Sequence, residues 1–157
     1  FFQAFAGMEV GFRERAEEVT ALLHDDRTKF LLVTSPQRDT VTEAAWFADQ
    51  IADQGFTVAA TVVNRLHPRF GDGSVADASR RADTARVRGE HDLAALWENL
   101  ADLRTVAEAE RSELQPLVER VGADSIVEVP LLPSDVHDVA ALTLLGEHLF
   151  SLDDRMV

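Results

Sequence analysis

Asn64 and Arg65 stand at the carboxyl end of an apolar, β-branched run, Thr57 to Leu66 (TVAATVVNRL), and of all the residues here they are the best placed for recognition chemistry. A side-chain amide donates and accepts side by side, which suits the edge of a base or another amide-like group, and a guanidinium lies next to it. Asparagine at such a point also caps turns, and the residue types leave both roles open. A second wall is offered by Pro130-Leu131-Leu132-Pro133, where two prolines three apart hold an extended loop with few conformers to lose. Together the two loops suit a flat heteroaromatic ring: the amide reads its edge, and the prolines and leucines cover its faces.

Other chemistries find little support. No glycine-rich cradle ends in Lys-Ser/Thr, and Gly71-Asp72-Gly73 lies outside a strand-to-helix junction, so it reads as a turn. The five histidines are scattered, and Asp135-Val136-His137-Asp138 at a helix start reads as capping and dipole chemistry. No serine has a G-x-S-x-G setting, and the carboxylate pairs Glu17-Glu18, Asp25-Asp26 and Asp153-Asp154 fall at helix ends or on polar faces. The residues alone assign no catalysis.

The elements that must bring the two loops together follow from periodicity. Val58, Ala59, Ala60, Val62 and Val63 leave almost no polar face, which predicts a strand buried on both sides in a parallel sheet. Ligands of open parallel sheets sit beyond the carboxyl ends of the strands, where Asn64 falls. Lys29 to Thr34 (KFLLVT) predicts the first strand, ended by Ser35-Pro36. Thr40-Val41-Thr42-Glu43 has the form of a capping box. It opens a helix whose stripe is Val41, Ala44, Ala45, Ala48, Ile51 and Ala52 and whose stop is Gly55. Strand, helix and strand make a right-handed βαβ unit.

Upstream, Phe5, Met8, Phe12, Ala16, Val19, Leu22 and Leu23 recur every three or four positions, predicting an amphipathic helix from Phe1 to about Asp25 with Phe1, Phe2 and Phe5 in the core. Downstream, residues 67–90 read as a polar loop or mobile helix, with too few apolar positions from Val75 to Gly89 to anchor to a core. Its arginines, Arg80, Arg81, Arg86 and Arg88, form a solvated face. His91 to Val121 predicts a long helical stretch buried through Leu93, Leu96, Trp97, Leu100, Leu103, Ala107, Leu114, Leu117, Val118 and Val121, bent at Pro116. Ser125 to Val129 is the third strand. Ser134 is placed to cap a last helix through Val136, Val139, Leu142, Leu145 and Leu149, and the tail 151–157 is frayed.

The predicted fold class is therefore α/β, three-layered, with a parallel sheet and a long helical crossover between strands 2 and 3. The 157 residues suffice for one domain. Three strands are few against the usual five or six, and Phe1 already belongs to a helix, so the expectation is half of a larger domain. The net charge of -13, from 28 acidic and 15 basic side chains, opposes nonspecific binding to nucleic acid or anionic membrane. With no cysteine, thiolate catalysis and cysteine-ligated zinc are excluded, and the composition fits the cytoplasm. No apolar run approaches a membrane span, so no direct membrane insertion is expected.

The segments FLLVTSPQ with EAAWFADQI, TVAATVVNRLH and VEVPLLPSDVHDVAAL, in that order, resemble the carboxyl-terminal half of the arsenite-pump (ArsA) and tail-anchored-protein-targeting ATPases, in the actinobacterial branch labelled anion-transporting ATPase. These belong to the deviant P-loop class that also holds MinD. The resemblance runs from about Phe12 to Leu145. It implies part of a P-loop ATPase domain in which Asn64, with Arg65 beside it, recognises adenine and Pro130 to Pro133 close over the base. The family's Thr-Pro-Glu appears as Ser35-Pro36-Gln37, without the carboxylate. The P-loop and both switches are absent, so the resemblance implies ATP with magnesium as cofactors of a complete protein and no ATPase activity from this chain alone. A missing amino-terminal half or partner chain, and a homodimer, are the implied partners. A non-catalytic binding or scaffold module that uses the long helix for a partner is the alternative.

Overall fold

The computed structural model describes residues 2–150, with side chains described from residue 11 onward; Phe1, Phe2, Phe5, Met8 and the tail 151–157, all named above, have side chains outside the described residues. Three parallel strands, β1 (Phe30–Thr34), β2 (Val58–Leu66) and β3 (Ile126–Pro130), lie in the order β1-β2-β3 with helices on both sides, so the α/β class is as expected.

One face of the sheet is covered by α2 (Arg38–Asp53) and α5 (Gln115–Val121). Val41, Ala44 and Ala45 of α2 meet Val63, Leu66, Leu114 and Leu117 in the main core. Small alanines let α2 approach closely, and β-branched Val63 and Val41 fill the pleat with little rotamer freedom to lose. The helix starts at Arg38, two residues before the expected cap. Thr40 is therefore inside the first turn, where its hydroxyl reaches the Ser35 and Gln37 carbonyls at 2.9 Å and Gln37 makes no side-chain cap.

The other face is far less covered. Leu31 and Val33 of β1 are 63% and 70% exposed, and Ala60 and Val62 beside them are only half-buried. The expectation of a strand sealed on both sides thus holds for one face alone: Thr61 and Val63 are fully buried against the helices, while the opposite side of β2 is partly open. Parallel sheets are normally covered on both faces. The last helix, α6 (Val139–Phe150), packs along β3 but buries none of its residues completely. It is capped by Asp138, whose carboxylate accepts from the Ala141 N–H at 2.8 Å, and not by Ser134, which lies too far upstream.

Helix α1 (Phe2–Leu23) also departs from expectation: from Phe12 to Leu23 its apolar residues are exposed and contribute nothing to the core. Its junction to the sheet is aromatic. Phe56 stacks between His24 and Phe30, with centroids 4.4 and 4.8 Å away.

The largest revision concerns residues 67–90. Val75–Val87 form a regular helix, α3, antiparallel in sequence order to α4 (His91–Glu113) across a turn at Gly89, and the two pack along their length. The seam is built of small residues: Ala78, Ala82 and Ala85 on α3, and Ala94, Ala101 and Ala107 on α4, all buried. Alanine scores as weakly apolar, so the sequence reads as unanchored. Two helices faced with it can nevertheless approach closely and gain dispersion over many contacts. Ser74 and Asp77 form a reciprocal capping box at the start of α3, and the Ser74 hydroxyl and N–H hold the Asp77 carboxyl below the usual carboxylate range, with help from Arg80. The arginines are exposed, yet engaged: Arg81 lies 4.8 Å over the Trp97 ring, Arg86 pairs with Asp83 and Glu98, and Arg80 pairs with Asp77.

Because the alanine stripe faces α3, the leucines expected in the core turn outward. Leu93, Leu96 and Leu103 are exposed, Leu96 by 65%. The bend falls at Leu114, beside Pro116 as expected, and returns Leu114 and Leu117 to the sheet.

One charged group is buried on α4. Arg104, 6% exposed, donates to the carbonyls of Arg69, Phe70 and Ser74 at 2.9 to 3.1 Å and pins the 67–74 loop. Gly73 is required there, since a Cβ would sit 2.6 Å from the Arg104 Nη1.

Candidate functional site

The site is set by an irregularity in β2. Asn64 pairs with Val129 and Leu66 with Pro130, which leaves Arg65 as an extra residue in the ladder. Its φ of 67° is left-handed, a conformation that side chains other than glycine seldom adopt. The bulge changes the alternation of the strand. Leu66 rejoins Val63 in the α2–α5 core instead of pointing away from it, while Asn64 keeps the opposite side of the sheet. The ladder then closes again, the Leu131 N–H donating to the Leu66 carbonyl at 2.7 Å. Holding a non-glycine residue in this region costs on the order of 1–3 kcal/mol, and such positions cluster at ligand sites.

A cleft of about 170 Å³ opens there, at the carboxyl ends of β2 and β3. Asn64 and Arg65 form one wall and Pro130, Leu131 and Leu132 the other, so five of the six residues singled out in the sequence share one cavity. Pro133 does not line it. Ser134, Asp135, Val136 and, from α6, Leu145 complete the lining. Ser134 and Asp135 stood in the sequence as helix-start residues. Their place in the cleft follows from α6 beginning at Val139, later than expected, which leaves 131–138 as loop along the cavity. Leu145 carried no signal beyond helical spacing.

Asn64 and Arg65 make no hydrogen bond or ion pair with other side chains among the described residues, so the amide and the guanidinium are both available. Pro130, Leu131, Leu132, Val136 and Leu145 supply the apolar part of the open cleft that they share. The arrangement can hold one planar, polar-edged ring system, with the amide at its edge. Asp135 adds an acceptor at the rim, 3.8 Å from the His137 ring. Among the described residues no group of three His, Asp or Glu side chains is placed to hold a metal ion.

A second cavity, of about 380 Å³, follows the free edge of β1. Leu32, Val33, Ala44 and Phe47 give it apolar walls, and Thr34, Ser35, Thr40 and Glu43 a polar end near the start of α2. The Ser35 and Thr40 hydroxyls are 2.8 Å apart and engage each other, while the Glu43 carboxylate beside them makes no hydrogen bond or ion pair among the described residues.

Fold and cleft together define an α/β protein with a small open cleft at the carboxyl edge of a parallel sheet. No protein-family model matches the chain, and no curated protein does. No helix among the described residues is long and apolar enough to cross a membrane.

Proposed function

We propose that this chain is the adenine-side part of an ArsA-like, ATP-dependent ATPase, in which ATP hydrolysis drives anion transport or protein targeting in the cytoplasm. The observation that carries this reading is the meeting of Asn64 and Pro130–Leu132 in one cleft at the ends of adjacent parallel strands. The Asn64 amide pairs with the amino and ring-nitrogen edge of adenine, and Pro130, Leu131 and Leu132 cover a ring face. Phosphate and magnesium are held elsewhere, by a polypeptide that completes the sheet along β1, where Leu31 and Val33 are bare.

The test is ATP binding by calorimetry to the complete protein, wild type and Asn64→Ala, since residues 1–157 alone are not expected to bind ATP tightly. The loss expected is about 1–3 kcal/mol, the range for stranding a polar partner, with an unchanged melting curve. Equal affinities would remove Asn64 from the site. Residues 1–157 alone are expected to turn over no ATP, and magnesium-dependent hydrolysis that survives repeated purification would overturn the division of labour.

A second reading has its own observation. The exposed Leu93, Leu96 and Leu103 on α4 suit a binding or scaffold module that presents this helix to a partner, a second copy included. Light scattering over a concentration series separates a homodimer from a monomer.

A further inference from the structure

The two walls of the cleft belong to different strands, and one side chain outside the cleft ties them together. Arg111, in the last turn of α4, donates through Nη1 to the His67 carbonyl at 3.1 Å and through Nη2 to the Glu128 carboxylate at 2.9 Å. His67 follows Asn64-Arg65-Leu66 at the exit of β2, and Glu128 lies on β3 just before the Val129-Pro130 wall. The neighbour of Arg111 secures the same exit. Glu110 accepts from the His67 backbone N–H at 2.8 Å and contacts the His67 ring at 2.7 Å. Arg111 is itself anchored to its helix through the Ala107 carbonyl at 3.1 Å, and its side chain is only 20% exposed.

We propose that Arg111 is a positioning residue for the cleft: with the ladder fixing the strand separation, it holds the exit of β2 after Asn64–Arg65 against β3 at Glu128, and through it occupancy of the cleft is coupled to the α3–α4 hairpin. This rests on the adenine reading of the same site. A planar guanidinium holding a carbonyl on one strand exit and a carboxylate on the next strand fixes both distance and angle, which a flexible ammonium would not. The rest of the linkage is stiff. Arg104 and Gly73 lock the loop after His67 to α4, and alanine packing locks α4 to α3. A ring that contacts Asn64 and Arg65 therefore acts on the His67 exit, and through Arg111 on the end of α4. Coupling of this kind is reciprocal: a partner on the hairpin changes affinity at the cleft by the same factor.

The experiment is an ATP titration followed by the Asn64 side-chain amide in nuclear magnetic resonance spectra, with amide hydrogen exchange along α4 read in the same samples. In the wild-type chain ATP is expected to shift the Asn64 amide and to alter exchange over residues 91–113. In Arg111→Ala, and in Glu128→Ala, which cuts only one arm and leaves the His67 bond, ATP affinity is expected to fall about tenfold. At saturating ATP, Asn64 still responds and α4 does not. Glu128→Gln, which keeps an acceptor, restores both signals in part. An Asn64 shift with α4 responding normally in both alanine variants, at unchanged affinity, overturns the coupling and leaves the adenine reading intact. No Asn64 shift in the wild-type chain overturns the adenine reading and the coupling with it.

Discussion

The sheet with α2 and α5 is held by branched aliphatic side chains, the α3–α4 hairpin by alanines and one buried arginine. In the first region Val41, Val63, Leu66, Leu114 and Leu117 remove large apolar side chains from water. In the second the seam residues are small, and order at the loop depends on three charge-assisted bonds from Arg104. Bulk apolar burial is nondirectional and shared across the whole domain, whereas guanidinium bonds are local and fail one loop at a time. The hairpin can therefore loosen without the sheet unfolding, and five measurements bear on that contrast.

The largest effect belongs to Leu117→Ala. Leu117 is fully buried, and a cavity there is expected to cost about 2–5 kcal/mol and to lower the melting temperature of every probe together. Arg104→Ala comes next. It leaves the carbonyls of Arg69, Phe70 and Ser74 without their donor, at about 1–3 kcal/mol, and hydrogen exchange should rise in residues 67–87 while β2 keeps its protection. Equal deprotection of β2 would erase the distinction between the two regions.

Ser74→Ala removes the hydroxyl half of the capping box, with an expected loss of about 0.5–2 kcal/mol confined to α3. The same box gives a pH dependence of definite sign. The folded Asp77 value is lowered by the Ser74 bonds, so its contribution is full above the ordinary Asp range near 3.9 and is lost as pH falls through the lowered folded value. On acidification, amide hydrogen exchange should rise in α3 before it rises in β2. The opposite order counts against a locally held α3.

Thr61→Val has the smallest effect and the opposite sign. Thr61 is fully buried on the sheet face that α2 and α5 cover, and its hydroxyl has no partner, so the near-isosteric valine should raise stability by about 0.5 kcal/mol or less. A loss would mean that the hydroxyl is engaged in solution.

The strands were legible in the sequence because their apolar residues are mostly large or β-branched, and α2 because one continuous apolar stripe led by Val41 runs between Pro36 and Gly55. The cleft was legible to the same extent: Asn64, Arg65, Pro130, Leu131 and Leu132 stand at the ends of readable strands. What escaped was carried by alanines and by one bulge. In α4 two stripes run one residue apart, Leu93-Leu100-Leu103 and Ala94-Ala101-Arg104. Hydrophobicity favoured the leucines, while contact with α3 selected the smaller residues. An arginine as the buried centre of a loop contradicts its usual exposure and gives no sequence signal. Nor does composition reveal that Arg65 sits outside the ladder, because the run TVVNRL reads as continuous strand.

The bare edge of β1 has a consequence for how the chain is made. During synthesis β1 emerges before β2, its one partner among the described strands, with all of α2 still to follow. At roughly 5–20 residues per second, the edge of Phe30–Thr34 that pairs with Val58–Leu66 waits on the order of seconds for its partner. The strand itself holds no proline, lysine or other charge to discourage a neighbouring nascent copy from pairing with it. On a polysome, yield should therefore fall as ribosomes lie closer together, and a pause placed just after β2 should recover more soluble chain than one placed just before it.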